Sequence, residues 1–120
     1  LFEDTVALSP ASVLLLASLE SAAEDSTARL SAAFTAAGAA PSIHSIVVPA
    51  AAKPLAVAEL AAHLGGAISE VSEPYDVVVL AQYSLAPAAE ALRDQITVPV
   101  LDGPSAAASR LRAVIEGSLR

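Results

Sequence analysis

Polar residues gather directly behind short apolar runs in this chain. Ser18 and Ser21 follow Ser12–Ala17; Gln82, Tyr83 and Ser84 follow Val77–Ala81; Asp102 and Ser105 follow Thr97–Leu101. Hydroxyls and a carboxamide donate and accept hydrogen bonds without changing protonation at neutral pH, and together with helix N-termini aimed at the same edge they suggest a small carboxylate as ligand. Serine and aspartate at such places also serve as ordinary helix N-caps. Tyr83 can stack on a ligand or close a pocket beside Gln82, and it can equally pack under the next helix. The chain has no cysteine, which excludes thiol nucleophiles, disulfides and thiolate metal sites. His44, flanked by Ser42 and Ser45, reads as an edge-strand residue, and His63 as a surface or packing residue of a helix. Neither has a carboxylate at metal-ligand spacing, so no metal site is expected.

The elements that must position these groups follow from the apolar pattern. Ser12–Ala17 reads as a buried strand after Pro10. Ser21-Ala-Ala-Glu24 has the form of a capping box, and Leu30, Ala33, Phe34 and Ala37 recur at helical spacing up to Gly38, predicting a helix over 22–37. The β-branched run 43–48 predicts a second strand. Leu55, Val57, Leu60, Leu64, Ile68 and Val71 predict a second helix ending near Ser72, with Gly65-Gly66 inside it as either a tight packing contact or a break. Val77–Ala81 is continuously apolar, as in a strand covered on both faces. A third helix is expected from near residue 86 to Asp94, with Pro87 in its first turn. A fourth strand is expected over Thr97–Leu101, and a last helix over 105–119 carries Leu111, Val114 and Ile115. A leading helix over residues 1–9 would pack through Phe2, Val6 and Leu8. The acidic cluster Glu20, Glu24 and Asp25 suits a helix N-terminus and needs no catalytic role. Arg110 and Arg112 form a solvated helical face, able to hold an anion if turned toward the site.

Strands alternating with helices imply right-handed crossovers and a parallel sheet. The expected fold is α/β: a three-layer flavodoxin-like domain with a four-stranded parallel sheet in order 2-1-3-4 and helices on both faces. That order places the ends of strands one and three side by side at the topological switch point, where such sheets bind ligands. Helices starting near residues 22, 86 and 105 would aim free N–H groups at the same edge.

The run Leu80-Ala81-Gln82 with Val98-Pro99-Val100-Leu101 resembles the second half of the aspartate/glutamate/hydantoin racemase superfamily. There a strand enters "LAC" or "LAQ", a small polar residue and a helix follow, and "VPVL-x-x-P" comes next. The resemblance covers residues 76–115 best and residues 1–75 more weakly. It implies a cofactor-independent amino-acid racemase or isomerase in which two pseudo-symmetric domains face one another, each commonly supplying one catalytic cysteine. Gln82 stands at the position of the second cysteine, Ser84 matches a small polar residue touching a substrate carboxylate, and Ser18 and Ser21 fall near a loop making similar contacts. Tyr83 and Ser105 complete the expected binding set, and His63 loosely matches a helix histidine of the family. An amide is neither base nor nucleophile, so two-base racemization by this chain alone has no chemical support. Other superfamily members decarboxylate malonates or isomerize maleate, also through cysteine.

At 120 residues the chain is one domain by size, and such two-domain enzymes need roughly twice that length. Beginning at Leu1, it reads as a mature product, a fragment or an excised half whose missing second domain, or a homodimer partner, completes the site. A net charge of −7 with six Lys or Arg argues against nucleic acid. No apolar stretch approaches the roughly 20 residues of a membrane span, and Glu3 and Asp4 stand where a secretory signal is basic, so a cytoplasmic location without membrane contact is expected. An acidic receiver site is not matched, because Gln82 and Ser18 occupy its positions. Phosphate-loop, dinucleotide and Ser-His-Asp patterns are missing from the sequence. Two readings remain: a racemase-like domain binding a small carboxylate or amino acid, and a non-catalytic interaction or dimerisation domain of the same fold.

Overall fold

The apolar runs become strands where their residues can be covered on both faces. The computed structural model describes Thr5, Leu8 and residues 10–102. The elements are β1 (Ser12–Ala17), α1 (Glu20–Ala36), β2 (Ser42–Val47), a 3-10 turn at Pro49–Ala52, α2 (Val57–Ser69), β3 (Val77–Leu80), a second 3-10 turn at Tyr83–Ala88, α3 (Ala89–Gln95) and β4 (Val100–Leu101). The four strands are parallel and ordered β2-β1-β3-β4, the expected flavodoxin-like arrangement.

Strand pleating sends alternate residues to opposite faces. Val13 and Leu15 of β1 with Val77 and Val79 of β3 form one core with Leu30 and Phe34 of α1. Leu14, Leu16, Val78 and Leu80 face the other way, onto Leu60, Leu64 and Ile68 of α2 and Ala89 and Leu92 of α3. The central strands are therefore buried from Val13 to Ala17 and from Val77 to Leu80, while β2, at the sheet edge, exposes Ser42, His44 and Ser45. At the N-terminal end of the sheet, Asp76 Oδ2 accepts hydrogen bonds from the backbone N–H groups of Ala11 (2.9 Å) and Ser12 (3.0 Å), while its own N–H donates to the Ser12 carbonyl. That carboxylate fixes the start of β1 against β3 and so sets the register that carries through to the opposite end.

Several local expectations are corrected. Helix α1 begins at Glu20 with Leu19 as its N-cap and no side-chain capping bond, so the Ser21–Glu24 capping box does not form. The turn after β1 is only two residues long, which leaves the helix starting before Ser21 reaches a cap position. Helix α2 runs from 57 to 69 through both glycines without a break, and Val57, expected on the apolar stripe, is exposed. The chain after β3 enters a 3-10 turn that contains Pro87, and the α-helix begins only at Ala89. Proline has no N–H and its ring crowds the carbonyl four residues back, so the α-helical ladder starts beyond it. β4 is reduced to two residues because Pro99 cannot donate to the ladder; only its carbonyl is used, accepting from Val78 N–H at 2.9 Å. Leu8 is exposed rather than packed. Phe2, Val6, most of the leading helix, and the last helix with Arg110 and Arg112 lie outside the described residues.

Candidate functional site

β1 and β3 stay in register to their C-terminal ends, where Leu16 faces Leu80 and Ala81 N–H donates to the Leu16 carbonyl at 3.0 Å. One residue further, the chains diverge toward α1 and the second 3-10 turn, as they must at a switch point. The Gln82 side chain fills that fork. Ser18 donates both its backbone N–H and its hydroxyl, the latter at 3.0 Å, to Gln82 Oε1. A backbone N–H can only donate, so this contact fixes which end of the carboxamide is oxygen. The Nε2 end is left with two donors and no protein partner among the described residues.

Above the fork lies a cleft of about 540 Å³ lined from three successive loops. Ser18 and Leu19 come from the end of β1, Ala51 to Leu55 from the segment after β2, and Gln82 and Ser84 from the end of β3, with Leu60 of α2 behind them. Ser18 is buried, Gln82 half-buried and Ser84 exposed. The cleft thus offers neutral donors from Gln82 and Ser84 against an apolar wall of Leu55 and Leu60. Among the described residues Lys53 is the basic member of the lining, and no carboxylate belongs to it.

The sequence-predicted residues separate here. Ser18, Gln82 and Ser84 converge on the cleft. Ser21 lies in the first turn of α1, exposed and outside the cleft lining. Ser18 has both its donors engaged by Gln82, so what it offers a ligand is an acceptor lone pair only. Tyr83 opens the 3-10 turn; its side chain, like Ser105, lies outside the described residues. Asp102 is buried after β4 and accepts from Arg93 Nη2 at 2.9 Å, and Arg93 also bonds the Val100 carbonyl through Nε and Nη2. Asp102 thereby ties α3 to β4. Lys53 was missed by sequence reasoning; the available signal was a lysine directly behind the second strand, the sole lysine of an acidic chain.

The histidines stand apart from the cleft. His63 is exposed on α2. His44 lies on the edge strand β2, on the same sheet face as its partner Leu14, with Nδ1 3.5 Å from Glu73 Oε2 and both side chains more than half exposed. Among the described residues no group of three His, Cys, Asp or Glu converges as metal ligands, and no helix is long and apolar enough to cross a membrane. No family model, curated protein or solved structure matches the chain.

Proposed function

We propose that this chain is a racemase-like domain that binds a small carboxylate or amino acid at the C-terminal edge of its sheet and does not complete catalysis alone. The observation that carries this reading is the Ser18–Gln82 bridge at the switch point. It engages the carboxamide oxygen with the protein and leaves the Nε2 donors for a cleft that Ser84 also lines and whose described lining has no acidic residue. Gln82 orients the ligand, Ser84 shares its carboxylate, and Ser18 acts by holding Gln82. In this reading the proton-transferring groups belong to a second domain facing the cleft, because an amide transfers no proton at neutral pH. The resemblance of Leu80-Ala81-Gln82 and Val98–Leu101 to the racemase superfamily supports the same assignment.

An amide NMR titration with D- and L-aspartate, D- and L-glutamate, malonate, maleate and hydantoin tests it. Shifts confined to residues 18–22, 82–86 and 102–106 are expected. Their absence with every compound would remove the assignment.

A second reading, an interaction or dimerisation domain, is favoured by the exposed apolar side chains of Leu19 in the cleft lining and Val57 at the start of α2, which are 52% and 50% exposed. Size-exclusion chromatography with light scattering separates the two: a concentration-independent monomer counts against self-association.

A further inference from the structure

β2 is the long edge of the sheet, and it carries none of the devices that keep strand edges from pairing. Its six residues, Ser42 to Val47, include no proline, lysine, arginine or carboxylate. The opposite edge, β4, is two residues long and follows Pro99, and short edge strands and prolines are what blunt such pairing. Ser42, His44 and Ser45 are exposed and Ile43, Ile46 and Val47 half-buried, so β2 meets solvent along its length.

The free backbone groups of that edge follow residue by residue. The N–H and C=O of one strand residue point to the same side, and successive residues alternate. Ser42 N–H donates to the Ala11 carbonyl at 3.0 Å and Val48 N–H to the Ala17 carbonyl at 2.8 Å. Ser42, His44, Ile46 and Val48 therefore direct their backbone groups at β1, while Ile43, Ser45 and Val47 direct theirs outward. No described residue bonds these outward groups. A strand laid antiparallel along the edge exchanges both bonds with the residue directly opposite. A second copy related by a two-fold axis at Ser45 sets Ser45 against its own counterpart and Ile43 against Val47 in both directions, which satisfies the outward groups of all three.

The occupant follows from the same residues. The chain has a net charge of −7, yet this strand brings no carboxylate, so two copies meet here without opposing acidic groups on the strands. His44, its one ionisable residue, has Glu73 Oε2 3.5 Å from Nδ1, so a proton taken up by the imidazole is balanced within each copy. The register sets apolar against apolar at Ile43 and Val47 and hydroxyl against hydroxyl at Ser45, and cross-strand pairs of these kinds stabilise a sheet. Two-fold pairing also closes on itself, leaving the blunt β4 at both ends.

We infer that this chain forms a two-fold dimer by antiparallel pairing of β2 with β2 of a second copy, joining two four-stranded sheets into one. The inference rests on the interaction-domain reading and gives it a surface on β2 rather than at Leu19 and Val57; it is independent of the carboxylate site.

The test is amide hydrogen exchange of the ¹⁵N-labelled chain over a dilution series, with light scattering at the same concentrations. A dimer should form on concentration, slowing exchange at Ile43, Ser45 and Val47 and leaving Ser42, His44 and Ile46, already bonded to β1, unchanged. S45P removes an outward donor from each copy while sparing the β1 ladder, and should weaken the dimer about thirtyfold, the scale of two net hydrogen bonds. S45K and S45E each set like charges opposite one another on the axis and should weaken self-association about fivefold. Mixing S45K with S45E should restore association, which also shows that both variants are folded. A dimer whose Ile43, Ser45 and Val47 amides exchange equally at every concentration, or S45K and S45E that associate as well alone as mixed, would overturn the β2 pairing and leave self-association through Leu19 and Val57 standing. A monomer at every concentration would overturn both.

Discussion

Gln82 holds Ser18 through one end of its carboxamide and in the proposed site serves the ligand through the other, and substitutions can separate the two. Its Oε1 satisfies the buried Ser18 backbone N–H and hydroxyl; its Nε2 faces no protein acceptor among the described residues. Gln82→Glu keeps an acceptor for Ser18 but removes the donors and adds a negative charge. It should therefore fold with a near-unchanged melting temperature and lose carboxylate binding by titration. Gln82→Leu leaves the Ser18 groups unsatisfied and should lower the unfolding free energy by about 1–3 kcal/mol in urea. If Gln82→Glu bound carboxylates as the parent does, the donor role would be wrong. In the proposed site Ser84→Ala should weaken carboxylate binding by about fivefold with no loss of stability, since Ser84 is exposed and would supply a single neutral hydrogen bond to the ligand. The positions of Ser18, Gln82 and Ser84 were legible because each directly follows an apolar run. The locking of Gln82 by Ser18 was not, because it depends on the register of β1 against β3, which brings the two loop residues level and is a fact of pairing rather than of either segment.

The glycines show how element-scale reading succeeds and where it stops. Gly38 ends α1 at φ +77°, with Ala39 N–H on the Phe34 carbonyl and Gly38 N–H on the Thr35 carbonyl, the paired bonds of a Schellman motif. Gly38→Ala must adopt the left-handed region and should cost about 1 kcal/mol. Gly66, in the middle of α2, has open space where a Cβ would stand, so Gly66→Ala should stabilise the domain by about 1 kcal/mol. A Cβ on Gly65 would lie 2.6 Å from Gln95 Oε1 of α3, the end of a flexible and exposed side chain, so Gly65→Ala should gain less than Gly66→Ala. Urea denaturation of the three variants checks the order Gly66→Ala above Gly65→Ala above Gly38→Ala; a destabilising Gly66→Ala would contradict the open space beside it. The stop at Gly38 was readable because its signal is local. The asymmetry between Gly65 and Gly66 was not, since only the docking of α3 decides which glycine faces a neighbour. The 3-10 turn and the shortened β4 belong to the same class: Pro87 and Pro99 were visible, but how far each delays its element depends on the carbonyls and strands around it.

At the scale of the whole molecule, the strand order was legible because consecutive apolar runs separated by helices leave few right-handed parallel arrangements. The division of the core was legible in the same runs once the order was known, because pleating assigns Val13, Leu15, Val77 and Val79 to one face and Leu14, Leu16, Val78 and Leu80 to the other. This division has an energetic consequence. Phe34 packs only in the core under α1, and Ile68 only in the core under α2 and α3, with the sheet between them. Residues that share no partners and lie on opposite faces of a sheet couple weakly. Phe34→Leu and Ile68→Val remove small buried volumes, so each should lower the unfolding free energy by about 1 kcal/mol and leave the domain folded. The double variant should lose the sum of the two to within about 0.5 kcal/mol. Paired with Leu64→Val, which shares the core of Ile68 one helical turn away, the same Ile68→Val should instead depart from additivity, since one side chain relaxes into the space vacated by the other. Equal coupling in both pairs, measured by urea unfolding, would mean that strain crosses the sheet and that the two faces are not separate cores.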